Sequence, residues 1–300
     1  EIYTLSLHDA LPIWPSNVYI QLIFINVGVF VITTLIGILL QLFNRSAAGI
    51  FELLALPASF TRFAWQPWSI FTYMFMHAGF LHILFNMLWL YWFGALFLYF
   101  FSGKHLRGLY IVGGICGGLL YMISYNVFPY FRPMTAYSTM VGASASVLAI
   151  VVATAYREPN YPVRLLFFGN VRLKYLALIV VLTDLLFITS SNAGGHIAHL
   201  GGALAGLWFA ASLNKGKDIT SWVNKALDAI AALFSAKTWK RKPKMKVHYG
   251  NNTRQNDYDY NARKKAQSDE IDRILDKLKK SGYESLTTEE KKSLFDASKR

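Results

Sequence analysis

The sequence predicts an all-α, polytopic membrane protein: a bundle of six transmembrane helices followed by a small helical tail. Three observations predict it. First, 54% of the 300 residues are hydrophobic and 16% are charged, against about a quarter charged in soluble domains. Second, the apolar residues gather into six runs, several of them near the ~20 residues that cross a bilayer. Third, the charges segregate: residues 1–213 hold 9 Lys/Arg and 5 Asp/Glu, so residues 214–300 carry +9 of the net +13. An oily body with a basic tail argues against a nucleic-acid binder, which needs basic residues around a folded reading surface. The single cysteine, Cys116, permits no intrachain disulfide and is expected to be a buried apolar residue.

Residues 1–14, including His8 and Asp9, resemble translated adaptor sequence. They lack the basic start and small-residue cleavage site of a signal peptide, so they are set aside as a non-native leader. The membrane domain is expected over 15–213. Its first run is Val18 to Phe43, uncharged and ended by Arg45. Residues 46–68 are too broken to span and suit an interfacial segment, with Trp65 and Trp68 at headgroup depth. Further runs follow at Leu81–Phe101, Gly108–Phe128, Met140–Tyr156, Leu173–Thr189 and Gly195–Leu213. Around the turns after runs two and four lie Lys104, Arg107, Arg157, Arg164, Arg172 and Lys174; the opposite loops hold Arg45, Arg62 and Arg132. By the positive-inside rule both termini are cytoplasmic, and the expected location is multi-pass in a bacterial inner (plasma) membrane.

Residues 214–300 form the expected basic cytoplasmic tail. Ile219–Phe234 has helical periodicity, and the basic cluster Lys237–Lys246 suits anionic lipid. Gly250–Tyr260 is expected to be a linker. Ile271, Ile274, Leu275 and Leu278 have helical spacing. Thr287-Thr288-Glu289-Glu290 is a capping-box pattern opening a last short helix.

Polar residues inside the apolar runs are the functional candidates, since such residues are costly in a bilayer. Ser144 lies in Gly142-Ala143-Ser144 on run four, and His199 on run six. A serine hydroxyl needs a base to take its proton; His199 is the candidate, with Gly202 and Gly206 at the GxxxG spacing that lets helices approach closely. His82 and Asn86, four apart on run two, share a helix face and offer N–H donors to an oxyanion, as does the Ser144 amide. His77 is expected to hydrogen-bond and fix its loop. With spans two, four and six all running inward, His82, Ser144 and His199 fall at one depth, where a cavity open to the outside would admit water. His196 is a rival base, more simply a structural hydrogen bond. Asp184 is expected to be neutralised or to find an internal partner such as a hydroxyl rather than to act as a third catalytic member, and Ser146 to pack.

Taken together, the chain resembles the rhomboid intramembrane serine proteases over about residues 18–213. The resemblance is carried by His77, His82 and Asn86 followed by Trp89-Leu90-Tyr91-Trp92-Phe93-Gly94, by Gly142-Ala143-Ser144, and by His199, Gly202 and Gly206. It implies a six-helix rhomboid bundle, a Ser144–His199 dyad and an oxyanion role for His82 and Asn86. It further implies single-pass transmembrane protein substrates in the lipid bilayer, with no cofactor and no metal. Two positions depart from the family's habit: Ala145 where glycine is frequent, and Leu148 where an aromatic residue often stacks on the base. Two alternatives stay open. One is a weak or inactive rhomboid-like protein that binds membrane clients. The other is a metal site or transporter built from His77, His82, His196 and His199.

Overall fold

The computed structural model describes residues 17–165, 169–234 and 253–298. The leader and Lys237–Lys246 lie outside these residues. Two compact units are formed, residues 1–238 and 239–300. The first is helical: α1 Val18–Leu42, short helices α2 Ala48–Leu54, α3 Phe60–Trp65 and α4 Ser69–Thr72, then α5 Phe80–Phe100, α6 Gly103–Val127, α7 Ser144–Arg157, α8 Leu173–Leu186, α9 Ala193–Asn214 and α10 Ser221–Phe234.

Helices α1, α5, α6 and α9 are long and apolar enough to cross a membrane. Of the six expected spans, four meet that length and composition among the described residues. Helices α7 and α8 have 14 residues each, about 21 Å at 1.5 Å per residue, short of a hydrocarbon core of about 30 Å. The chain is also not purely helical. Strand β1 (Leu56–Pro57) pairs antiparallel with β2 (Thr139–Met140), with Leu56 opposite Met140. Strand β3 (Pro162–Leu165) pairs with β4 (Gly169–Arg172). The first of these pairs takes Met140 out of the apolar run expected to be helix, and α7 starts only at Ser144.

Helix α7 is the centre. Every residue from Ala145 to Ala155 is buried, enclosed by α5, α6, α8 and α9. Small residues make this possible: Gly113 and Gly117 of α6 face Ala149 and Ala145 of α7. Helix α6 starts five residues before the hydropathy pattern suggests. Ser102 caps it, accepting from the His105 N–H at 3.2 Å, which satisfies a first-turn amide. Lys104 and Arg107 thus belong to its first turns, and Arg107 pairs with Asp228 of α10 at 2.9 Å. Helix α10 packs there, so the first compact unit runs past residue 213. Cys116 is half-buried rather than fully enclosed.

The second unit contains helices Thr253–Ser281 and Thr288–Ser298. The expected linker is corrected at Thr253–Tyr260, which are helical; a helix once nucleated propagates through polar residues at little cost. The capping box is present: Thr287 Oγ accepts from the Glu290 N–H at 3.2 Å, and the Glu290 carboxylate accepts from the Thr287 N–H at 2.9 Å. Ile274 and Leu286 are buried.

Candidate active site

Ser144 is the first residue of α7. Two residues earlier, Gly142 has φ of 134°, a conformation that favours glycine. Its N–H donates to the Tyr73 carbonyl at 2.9 Å, and the Tyr73 hydroxyl donates to the Gly114 carbonyl at 2.6 Å. These bonds tie the serine loop to the bundle. A methyl group on Gly142 would lie 2.9 Å from both Cε1 and Nε2 of His82, so this glycine also lets the loop reach the imidazole.

His199 Nε2 lies 2.7 Å from Ser144 Oγ. The approach is set by α9 glycines. A side chain at Gly202 or Gly206 would collide with the backbone of Ala145 or Ala149, so α7 and α9 meet main chain to main chain. Gly117 gives room for the Ala145 methyl, since a Cβ there would sit 2.6 Å from it. Alanine at 145 is therefore accommodated by a glycine on α6. Leu148 is buried beside His199 in an apolar cavity.

The other nitrogen of His199, Nδ1, lies 2.8 Å from Asp184 Oδ1, and His196 Nδ1 lies 2.8 Å from the same oxygen. Asp184 thus has an internal partner, a pair of imidazoles rather than a hydroxyl. His196 makes a structural hydrogen bond, one turn before His199. The charge itself, a carboxylate within an apolar run, signalled that a partner was needed but not which one.

The metal alternative finds its ligands partly regrouped. Donor atoms of Asp184, His196 and His199 lie within 4.8 Å of one another, while His77 and His82 stand apart as a ring pair at 5.1 Å. Separations of 2.8 Å suit hydrogen bonds better than tetrahedral zinc ligands, which stand about 3.3 Å apart at bond lengths near 2.0 Å.

His82 Nδ1 accepts from the Ala78 N–H at 3.3 Å. In the neutral ring the proton then sits on Nε2, the atom beside Gly142. Asn86 Nδ2 donates one hydrogen to the His82 carbonyl at 2.8 Å and keeps the other. His77 departs from its expected role. It is buried, its ring nitrogens reach no well-formed hydrogen bond among the described residues, and it meets His82 edge-on at 67°. It supports the oxyanion candidate by packing. Burial and the His82 ring hold its pKa down at about 4, so it is neutral near pH 7. Ser146 is buried in packing.

Two cavities share Asn86, Ser144 and His199. One, of about 630 Å³, is walled by His82, Ser138, Thr139, Ser191 and Asn192 among others. The second, about 220 Å³, is walled by Phe85, Trp89, Val147, Leu148 and Val180. A hydroxyl paired with an imidazole therefore faces a polar space on one side and an apolar space on the other.

Comparison with known proteins shows the family of the membrane domain. The Rhomboid domain family matches residues 64–215, and a family of unknown function (DUF6576) matches residues 255–300. The chain is 29% identical over 158 residues to RHOMBOID-like protein 12, mitochondrial, of Arabidopsis thaliana, covering 50% of this chain. It spans about half the length of that relative, 47%.

Proposed function

Because the chain belongs to the rhomboid family, we propose that it is an intramembrane serine endopeptidase that hydrolyses peptide bonds of transmembrane proteins. The observation that carries this reading is the 2.7 Å contact between Ser144 Oγ and His199 Nε2, at the meeting of the two cavities. Ser144 Oγ attacks the scissile carbonyl while His199 Nε2 takes its proton. The resulting oxyanion receives hydrogen bonds from the Ser144 amide, His82 Nε2–H and the remaining Asn86 amide hydrogen. First-turn amides of a helix have no intrahelical acceptor, and the α7 dipole favours negative charge there. His199 then passes its proton to the leaving amine. Water from the polar cavity hydrolyses the acyl-enzyme, with His199 again as base.

The molecule is a multi-pass membrane protein. In our reading α7 and α8 complete six crossings. Their shortness leaves the layer beyond Ser144 to loops and a cavity, irregular backbone being tolerated in a membrane where it lines water-filled space. Both termini are proposed to be cytoplasmic from the Lys/Arg distribution, in a bacterial inner membrane; the named relative is mitochondrial. Single-pass proteins are the proposed substrates, and the basic tail is proposed to contact anionic lipid.

The test is cleavage of a reporter transmembrane substrate by wild type, Ser144→Ala and His199→Ala. Wild-type cleavage, with loss of at least about 10³-fold in both variants, is the expected result. Wild-type labelling of Ser144 by a fluorophosphonate is the companion measurement. Folded wild type that neither cuts nor labels would instead support the client-binding alternative.

A further inference from the structure

We infer that Asp184 is a positioning residue for the reaction proposed above, holding His199 in the one tautomer that can accept the Ser144 proton. The inference rests on the hydrolase reading and adds a carboxylate to the Ser144–His199 pair.

The geometry is specific. Two Nδ1 atoms, from His196 and His199, sit 2.8 Å from one oxygen, Asp184 Oδ1. An ionised carboxylate only accepts hydrogen bonds, so both nitrogens are donors. His199 then carries its proton on Nδ1 and presents a lone pair on Nε2, the atom facing Ser144 Oγ. A carboxyl protonated on Oδ1 serves at most one of the two nitrogens as donor. If that nitrogen were in His199, Nε2 would bear hydrogen and have no lone pair for the hydroxyl. The shared oxygen, as an acceptor for both rings, thus favours the productive tautomer of His199.

The same arrangement meets the cost of charge. Asp184 is buried on α8, and its Oδ2 has no hydrogen-bond partner among the described residues. A buried carboxylate needs compensation, and the two imidazole N–H groups provide it. When His199 takes the serine proton it becomes a cation in a poorly solvated place. An anion 2.8 Å away turns that cation into one half of an ion pair, an interaction strengthened where the dielectric constant is low. Leu148 offers His199 an aliphatic side chain and no stacked ring, so orientation falls to the hydrogen bond.

A simpler role competes. Helix α8 buries only Leu173, Ala177 and Asp184, so the carboxylate also docks α8 on α9. The deciding experiment measures kcat, KM and melting midpoint of the full chain in detergent, using the reporter substrate, for wild type, Asp184→Asn, Asp184→Glu and Ser144→Ala. Asparagine keeps the shape and an acceptor oxygen but not the charge. The expected result is a kcat lower by about 10²–10⁴-fold, with KM within about twofold and an unchanged midpoint. Asp184→Glu should regain about tenfold or more of the loss by restoring the anion. Asp184→Asn with kcat within about threefold of wild type, or a loss confined to KM, overturns the inference.

A second measurement does not depend on any Asp184 variant folding. Nitrogen-15 NMR of histidine-labelled wild type, with His199 assigned by comparison with His199→Gln, should show Nδ1 protonated and Nε2 bare in the neutral ring. The opposite tautomer sinks the inference. If wild type matches Ser144→Ala and neither cleaves, the protease reading fails while the NMR result still decides the Asp184 pairing.

Discussion

Helix α9 has two unlike neighbourhoods. Toward α7 it is smooth: Gly202 and Gly206 bring its backbone against the carbonyls of Ala145 and Ala149. Toward α5 and α8, side chains rather than backbones define the space, and Phe85, Trp89 and Val180 wall a cavity beside His199. The contrast teaches a division of tasks. Main-chain contact leaves little freedom, so it fixes the distance between hydroxyl and imidazole. Side-chain contact can rearrange, so it suits admission of a substrate residue.

Gly202→Val should have the largest effect on the seam. Its side chain meets backbone that cannot rotate away, so the helices must separate. Overpacking of this kind costs about 1–3 kcal/mol or more, and the Ser144–His199 contact should be lost with it. A melting midpoint lower by several degrees together with no fluorophosphonate labelling is expected; a folded, fully labelled variant would show that the seam is not rigid. Gly142→Ala comes next. It forces alanine into a φ of 134°, costing about 1–3 kcal/mol, and its methyl presses on His82. Losing one oxyanion donor lowers kcat about 10²–10³-fold, so kcat should fall by that order while most of the protein stays folded by gel filtration.

On the other side, Val180→Trp should fill much of the 220 Å³ cavity and leave the seam alone. KM for the reporter should rise by about tenfold or more, the scale set by blocking burial of one side chain. The labelling rate of Ser144 by a small fluorophosphonate should change far less. Equal losses in both assays would mean that the cavity wall also holds the Ser–His pair.

The same contrast explains what was legible in the sequence. His82, Asn86, Ser144 and His199 stood out because polar side chains in apolar runs are conspicuous, and GxxxG spacing advertised the seam. The partner of Asp184 was not legible. It depends on how α8 is rotated against α9, a long-range fact that no local pattern encodes. Helix limits failed for local reasons. Lys104 and Arg107 ended the hydropathy signal, yet the helix continues through them because Arg107 finds Asn224 and Asp228. Met140 looked helical but pairs with Leu56 in a sheet.

The smallest expected effect concerns what supports the oxyanion candidate rather than the seam or the cavity. His77 is buried in the loop before α5, with a pKa of about 4 against an ordinary 6.5. As pH falls, the unfolded chain takes up the proton first, because its histidine titrates near the ordinary value. Protonation there draws the equilibrium toward unfolding. The contribution of a neutral His77 is therefore complete above pH 6.5, declines between 6.5 and 4, and is gone below that window. His77→Phe keeps a ring against His82 and removes the titration. Between pH 7 and 4.5 its melting midpoint should fall about 2–4 °C less than that of wild type, measured in the same detergent. If the two curves stay parallel, His77 shares its burial with a proton already, and the ring beside His82 is held by something other than neutrality.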